Sequence, residues 1–88
     1  MINRIVLFKT DNCEVCDKAI ESLQTLDNDD SNDYTIEVYD FAENQMAAAE
    51  MGVSETPSML VEVDGKIMVR AHGHLALPSI KSMIRAVT

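Results

Sequence analysis

The feature that most constrains the fold is a pair of cysteines, Cys13 and Cys16, set between a short apolar run and a helical pattern. The run over residues 5–8 is continuous and rich in β-branched and aromatic side chains, which is typical of a strand buried on both faces. From Cys13 onward, apolar residues recur every three or four positions and predict one face of a helix that ends near Leu26. The cysteines therefore open a helix directly after a buried strand.

The rest of the chain predicts a single domain over residues 1–88. Gly52 suits the left-handed position after a helix, Asp64-Gly65 is a strong signal for a two-residue hairpin turn, and Pro78 fits the first turn of a last helix. Strands joined through a helix run parallel and hairpin strands run antiparallel, so we expect a mixed four-stranded sheet with three helices on its two faces. The predicted elements are strand 4–9, helix 13–26, strand 34–39, helix 42–51, strands 58–63 and 66–71, and a helix from residue 77 onward.

Composition narrows the classes of function. Seven Lys and Arg against fifteen Asp and Glu give a net charge of -8, which leaves too few cations to build a face for nucleic acid. The acidic run over residues 27–33 predicts a solvated loop. The longest apolar runs have four residues, too short to span a bilayer, and the first residues lack the pattern of a signal peptide. We therefore expect a cytoplasmic protein with no membrane or nucleic-acid partner.

The cysteine pair carries the chemistry. The chain has two cysteines in all, and a bond between such close neighbours would hardly staple the fold, so the pair indicates a redox couple or half of a metal site. At a helix N-terminus, free N–H groups and the helix dipole stabilise a thiolate, which is the attacking species in disulfide exchange. We expect an exposed Cys13 to attack a substrate disulfide, and Cys16, one turn deeper on the apolar face, to resolve the mixed disulfide.

Three passages, taken in order, cover nearly the whole chain. They are residues 6–16 with the cysteine motif, residues 51–61 around Thr56-Pro57, and the turn at residues 64–66 followed by Gly73. Together these passages resemble the thioredoxin and glutaredoxin superfamily. The resemblance implies the thioredoxin fold, an α/β architecture, with a cis bond before Pro57 close to Cys13. It also implies that Thr56 offers backbone groups to an extended substrate and that Gly73 and His74 form the far rim of that groove.

The sequence also departs from the family pattern. Glu14-Val15 stands between the cysteines, where it would contact substrate, in place of the common Gly-Pro or Pro-Tyr. Leu7 falls near the position of the buried acid of thioredoxins, and residues 73–76 do not match the glycines that glutaredoxins use on glutathione. These differences favour a thioredoxin-like reductant of protein disulfides on a glutaredoxin-sized scaffold.

Charged residues near the motif are candidate tuners of the Cys13 thiolate. Glu14 favours the helix terminus, but the same charge opposes a neighbouring thiolate. Lys9, near the place of a basic residue found in many glutaredoxins, would favour the thiolate.

His72 and His74 together with the two cysteines have the donor types of a tetrahedral zinc site. The histidines flank a glycine and their spacing matches no familiar zinc finger, so we expect no metal.

Three functions fit these observations. In the first, a monomer with no bound cofactor reduces disulfides of client proteins and is re-reduced by a thioredoxin reductase; ribonucleotide reductase is a candidate client by resemblance to the superfamily. In the second, glutathione is the electron donor, as in glutaredoxins. In the third, the chain is a redox-sensing binding module whose partner responds to the oxidation state of Cys13 and Cys16.

Overall fold

The described residues form four strands and three helices in the predicted β-α-β-α-β-β-α order. The computed structural model describes residues 2–29 and 34–87. Its elements are β1 (Ile2–Lys9), α1 (Glu14–Asp29), β2 (Thr35–Asp40), α2 (Gln45–Glu50), β3 (Ser58–Val63), β4 (Lys66–His72) and α3 (Leu77–Ala86). Within these residues, no helix is both long and apolar enough to cross a bilayer.

Strand β1 lies inside the sheet, whose order is β2-β1-β3-β4. It runs parallel to β2 and antiparallel to β3, and β3 and β4 form the antiparallel hairpin that the Asp64-Gly65 turn predicted. Both turn residues have positive φ, 52° at Asp64 and 80° at Gly65, as a tight hairpin turn requires. The mixed four-stranded sheet expected from the sequence is confirmed.

Alternate side chains of β1 enter two separate hydrophobic cores. Leu7 packs in a core with Leu23 of α1 and Ile80 of α3. Phe8 packs on the opposite face of the sheet, in a core that contains Ala48 of α2. Leu7 and Phe8 are both fully buried, and a buried side chain of this size contributes about 1.5–3 kcal/mol to folding. The continuous apolar run thus reflects burial on both faces of the strand.

Helix α1 continues to Asp29, beyond the predicted end near Leu26. The prediction of a loop over residues 27–33 is therefore wrong for its first three residues, and residues 30–33 lie outside the described part of the chain. Once a helix has formed, each further residue adds a backbone hydrogen bond, so a helix can continue beyond its last apolar residue. The apolar pattern consequently sets a minimum length for α1 and not its full length.

Helix α2 begins at Gln45, three residues later than predicted. The Asp40 carboxylate accepts the backbone N–H of Glu43 at 3.1 Å, and the Asn44 amide donates to the Asp40 carbonyl at 2.9 Å. These bonds hold the preceding residues as a turn, since Asp and Asn side chains compete with helical bonding. The end of α2 agrees with the sequence, because Gly52 has a φ of 74°.

A polar network connects three strands through Arg4 of β1. Its guanidinium lies 3.2 Å from the Glu37 carboxylate of β2 and 3.2 Å from the Glu62 carboxylate of β3. Tyr39, also on β2, donates its hydroxyl to Glu37. The hydrogen bond from Tyr39, followed by the charge of Arg4, holds the pKa of Glu37 below its ordinary value of 4.5.

We expect Glu37→Gln to weaken the dependence of the free energy of unfolding on pH below neutral. Because its folded pKa is lowered, the Glu37 carboxylate stabilises the fold above its unfolded pKa, and this contribution is lost as pH falls through the folded pKa. The side chain is 34% exposed, so the loss of stability at neutral pH should be below about 1 kcal/mol. Urea unfolding between neutral and acidic pH measures the effect. Glu50→Gln, on the exposed surface of α2, is the control, and identical pH profiles for the two variants would contradict the prediction.

Candidate active site

The two cysteines lie where the chain turns from β1 into α1. Cys13 immediately precedes the helix, and its carbonyl accepts the backbone N–H of Asp17 at 3.0 Å. Asn12, just before it, has a φ of 55°, a left-handed conformation that Asn tolerates better than most residues. This turn lets the strand end and the helix begin within a few residues, so that Cys13 sits at the helix N-terminus as predicted.

Cys13 and Cys16 are joined by a disulfide, with their Cα atoms 5.1 Å apart. Cys13 is half-buried, less exposed than the sequence analysis expected, whereas Cys16 is fully buried. The backbone N–H of Cys16 donates to the Cys13 sulfur at 3.1 Å. In the reduced pair, a donor in this position stabilises a Cys13 thiolate. The accessible sulfur is therefore also the one that receives a backbone hydrogen bond.

The loop before β3 holds the proline that the sequence analysis singled out. The Thr56-Pro57 peptide bond is cis, as the resemblance implied. Pro57 is buried, and its carbonyl accepts the backbone N–H of Gly73 at 3.0 Å. Gly73 has a φ of 86°, and the space around its Cα is open, so backbone conformation and not room favours glycine here. The hydrogen bond from Gly73, just after β4, thereby holds the loop over residues 51–57, here called the proline loop.

The side chain of Thr10 links the proline loop to α1. The Thr10 hydroxyl lies 3.1 Å from the Thr56 hydroxyl and 4.0 Å from the Cys16 sulfur. Sequence reasoning missed Thr10 as a site residue. The available signal was its position, because a polar residue directly after a buried strand points into the loop that holds the cysteines.

The predicted thiolate tuners differ in their surroundings. The Lys9 ammonium lies 3.2 Å from the Asp11 carboxylate and 3.6 Å from that of Asp40. The hydrogen bond to Asp11 is the main cause that raises the pKa of Lys9 above 10.5. Two carboxylates thus compete with Cys13 for this cation. Glu14 and Val15 are both exposed beside Cys13, where an approaching substrate would meet them.

The two histidines have different environments. The imidazole of His72 lies 2.9 Å from the Glu55 carboxylate at the mouth of the proline loop. His74 is exposed and lines a shallow depression between α1 and α3, together with Ser22 and Leu77. Across residues 2–29 and 34–87, no group of three or more His, Cys, Asp and Glu side chains has the arrangement of a metal site. The rim role expected for His74 stays a prediction.

Several solved structures share this fold. A mutant of the thioredoxin from Halobacterium salinarum superimposes with a TM-score of 0.85 at 24% identity, covering 94% of this chain and 72% of that one. Thioredoxin 1 from Thermosipho africanus gives a TM-score of 0.81 at 25% identity, covering 96% and 92%. Desulfothioredoxin from Desulfovibrio vulgaris in its reduced form gives 0.85 at 17% identity, covering 98% and 82%.

Sequence comparison gives a family for the chain. None of the curated proteins matches it. The family model described as Glutaredoxin-like domain (DUF836) matches residues 4–85. The fold is thus thioredoxin-like, and the adjacent Cys13–Cys16 pair indicates a redox-active protein with oxidoreductase chemistry. Because the family model covers almost the whole of this chain, the chain belongs to the glutaredoxin-like domain family.

Proposed function

We propose that this protein is a thiol-disulfide oxidoreductase that reduces disulfides of client proteins through Cys13 and Cys16. The observation that carries the proposal is the asymmetry of the pair: a half-buried Cys13 at the start of α1, bonded to a fully buried Cys16 one turn deeper. Attack on an external disulfide needs both thiolate character and access. Cys13 combines a helix terminus, a backbone N–H donor and an accessible sulfur.

The reaction has two exchange steps. The Cys13 thiolate attacks one sulfur of the client disulfide, which forms a Cys13–client disulfide and releases the other client sulfur as a thiolate. Cys16 then loses its proton and attacks the Cys13 sulfur, which forms the Cys13–Cys16 disulfide and releases the second client thiolate. The client gains two electrons and two protons, and the cysteine pair is oxidised by the same amount. An external dithiol or glutathione restores the reduced pair.

The surface around Cys13 suggests how a client segment would lie. An extended client strand would run past the backbone of Thr56, next to the cis proline, with Glu14 and Val15 on one side of Cys13. Gly73 supports the other side of the groove, because its N–H holds the Pro57 carbonyl. Extended segments are recognised chiefly through main-chain hydrogen bonds, so this arrangement favours a protein disulfide over a compact small molecule.

The family match also favours a second candidate, a glutaredoxin that takes electrons from glutathione. The two candidates share the chemistry of Cys13 and differ in the donor. Turnover of insulin disulfides with a thioredoxin reductase supports the first, and turnover of a small mixed disulfide with glutathione supports the second. A stable partner complex in one redox state, with negligible turnover in both assays, would instead favour a redox-sensing module.

We further propose that the protein acts as a cytoplasmic monomer, with ribonucleotide reductase as one client to assay.

The division of labour between the cysteines predicts opposite phenotypes for two variants. Cys16→Ser should react once with an oxidised client and then remain as a mixed disulfide, because the resolving thiol is missing. Cys13→Ser should lose reaction with the client by at least about 100-fold, because the accessible thiolate is missing. A non-reducing gel after incubation with oxidised insulin separates the two outcomes. A stable adduct from Cys13→Ser, with none from Cys16→Ser, would reverse the assigned roles.

Glu14 should make Cys13 harder to ionise. In a Cys16→Ser background, Glu14→Gln is expected to lower the midpoint of the Cys13 thiolate titration by about half a pH unit, since an exposed charge within one helical turn acts through well-screened solvent. Thiolate absorbance against pH measures the midpoint. Glu21→Gln, about two turns further along α1, is the matched control. An unchanged or higher midpoint in Glu14→Gln would refute the effect.

A further inference from the structure

The buried position of Cys16 opposes the ionisation that the resolving step requires. Cys16 is fully buried, and burial opposes ionisation of a thiol. Yet Cys16 must lose its proton to attack the mixed disulfide. The proton therefore needs a polar route out of the buried position, and the attacking sulfur needs a hydrogen-bond donor as negative charge develops on it.

The two threonines of the site offer such a route. The Thr10 hydroxyl lies 4.0 Å from the Cys16 sulfur and 3.1 Å from the Thr56 hydroxyl. Either threonine hydroxyl can donate to the other, and in the reduced pair the Cys16 thiol can donate to Thr10. A hydroxyl donates one hydrogen bond and accepts others, so a row of hydroxyls can carry a proton by reversing its bonds. Thr56 is half-buried and precedes the buried Pro57, so the row begins at the buried sulfur and ends in the groove.

We propose that Thr10 is a catalytic residue of the resolving step, linked to solvent through Thr56 as a positioning residue. The inference rests on the proposed two-step dithiol mechanism. The Thr10 hydroxyl accepts the Cys16 proton while its own proton moves to the Thr56 hydroxyl, which passes its proton to water or to the departing client thiolate. At the same time the Cys16–Cys13 sulfur bond forms and the Cys13–client sulfur bond breaks, so atoms and electrons balance.

The transfer also leaves the hydroxyls in the arrangement that favours attack. After the protons have moved, the Thr10 O–H points at the Cys16 sulfur and the Thr56 O–H points at Thr10. Hydrogen bonds to a charged acceptor are stronger than those between neutral groups, and neighbouring bonds in a chain reinforce one another. The same two side chains thus remove the proton and stabilise the negative charge on the attacking sulfur.

Single-turnover reaction with dithiobis-nitrobenzoate, an aromatic disulfide that releases a coloured thiolate, tests the proposal without a client or a reductase. In stopped flow with protein in excess, the first release of colour reports attack by Cys13 and the second reports attack by Cys16. Thr10→Val should slow the second phase about tenfold at neutral pH, a modest effect for proton transfer because a neutral hydroxyl is a weak base. The first phase should be unchanged.

The pH profile and two further variants separate catalysis from structure. The deficit of Thr10→Val should shrink at alkaline pH, where hydroxide removes the Cys16 proton, and Thr10→Ser should restore the neutral-pH rate. Thr56→Val should slow the second phase less than Thr10→Val does. Thr25→Val, which removes a hydroxyl from the exposed side of α1, is the control and should behave as wild type.

Two results would overturn the inference: an unaltered second phase in Thr10→Val, or a deficit that is equal at all pH values and is not rescued by Thr10→Ser. If Thr10→Val does not fold, the Thr56→Val pH profile decides, and a wild-type profile there counts against the relay. Failure of the proposed function has a different signature. The wild-type protein would then show both colour phases with the normal pH dependence while leaving oxidised insulin unreduced.

Discussion

Burial of β1 on both faces is the constraint on which the rest of the structure depends. One strand supplies side chains to two cores, so α1 and α3 must cover one face and α2 the other. A strand placed inside the sheet has paired backbone groups on both sides, which fixes its position and its end at Lys9. The loop that follows, which leads into the cysteines, is consequently anchored to a strand that is buried and paired on both sides.

The site forms where four segments of the chain converge. The loop after β1 supplies Thr10, the start of α1 supplies the cysteines, the loop before β3 supplies Thr56-Pro57, and the end of β4 supplies Gly73. Because β3 neighbours both β1 and β4, these segments emerge at one edge of the sheet. Hydrogen bonds between them, Thr10 to Thr56 and Gly73 to Pro57, then set the spacing of the reactive groups.

The two cysteines differ in burial within one helical turn, and the proposed chemistry rests on this difference. A sulfur at the helix terminus meets solvent and a backbone donor, while a sulfur one turn deeper belongs to the core. In the proposed mechanism, the amphipathic pattern that packs α1 against the sheet gives different roles to two identical side chains. Near the accessible sulfur, the cation of Lys9 is held by two carboxylates, and the backbone N–H of Cys16 donates to the Cys13 sulfur.

The sequence by itself determined the order of elements, the sheet type and the position of Cys13 and Cys16, because apolar spacing, turn residues and helix termini are local signals. It placed the end of α1 and the start of α2 less well, since similar polar residues continue the helix in one case and form a turn in the other. The tertiary structure alone decided that Lys9 pairs with Asp40 and that Thr10 meets Thr56. Such contacts join residues distant in the chain, and only the packing of strands and helices brings them together.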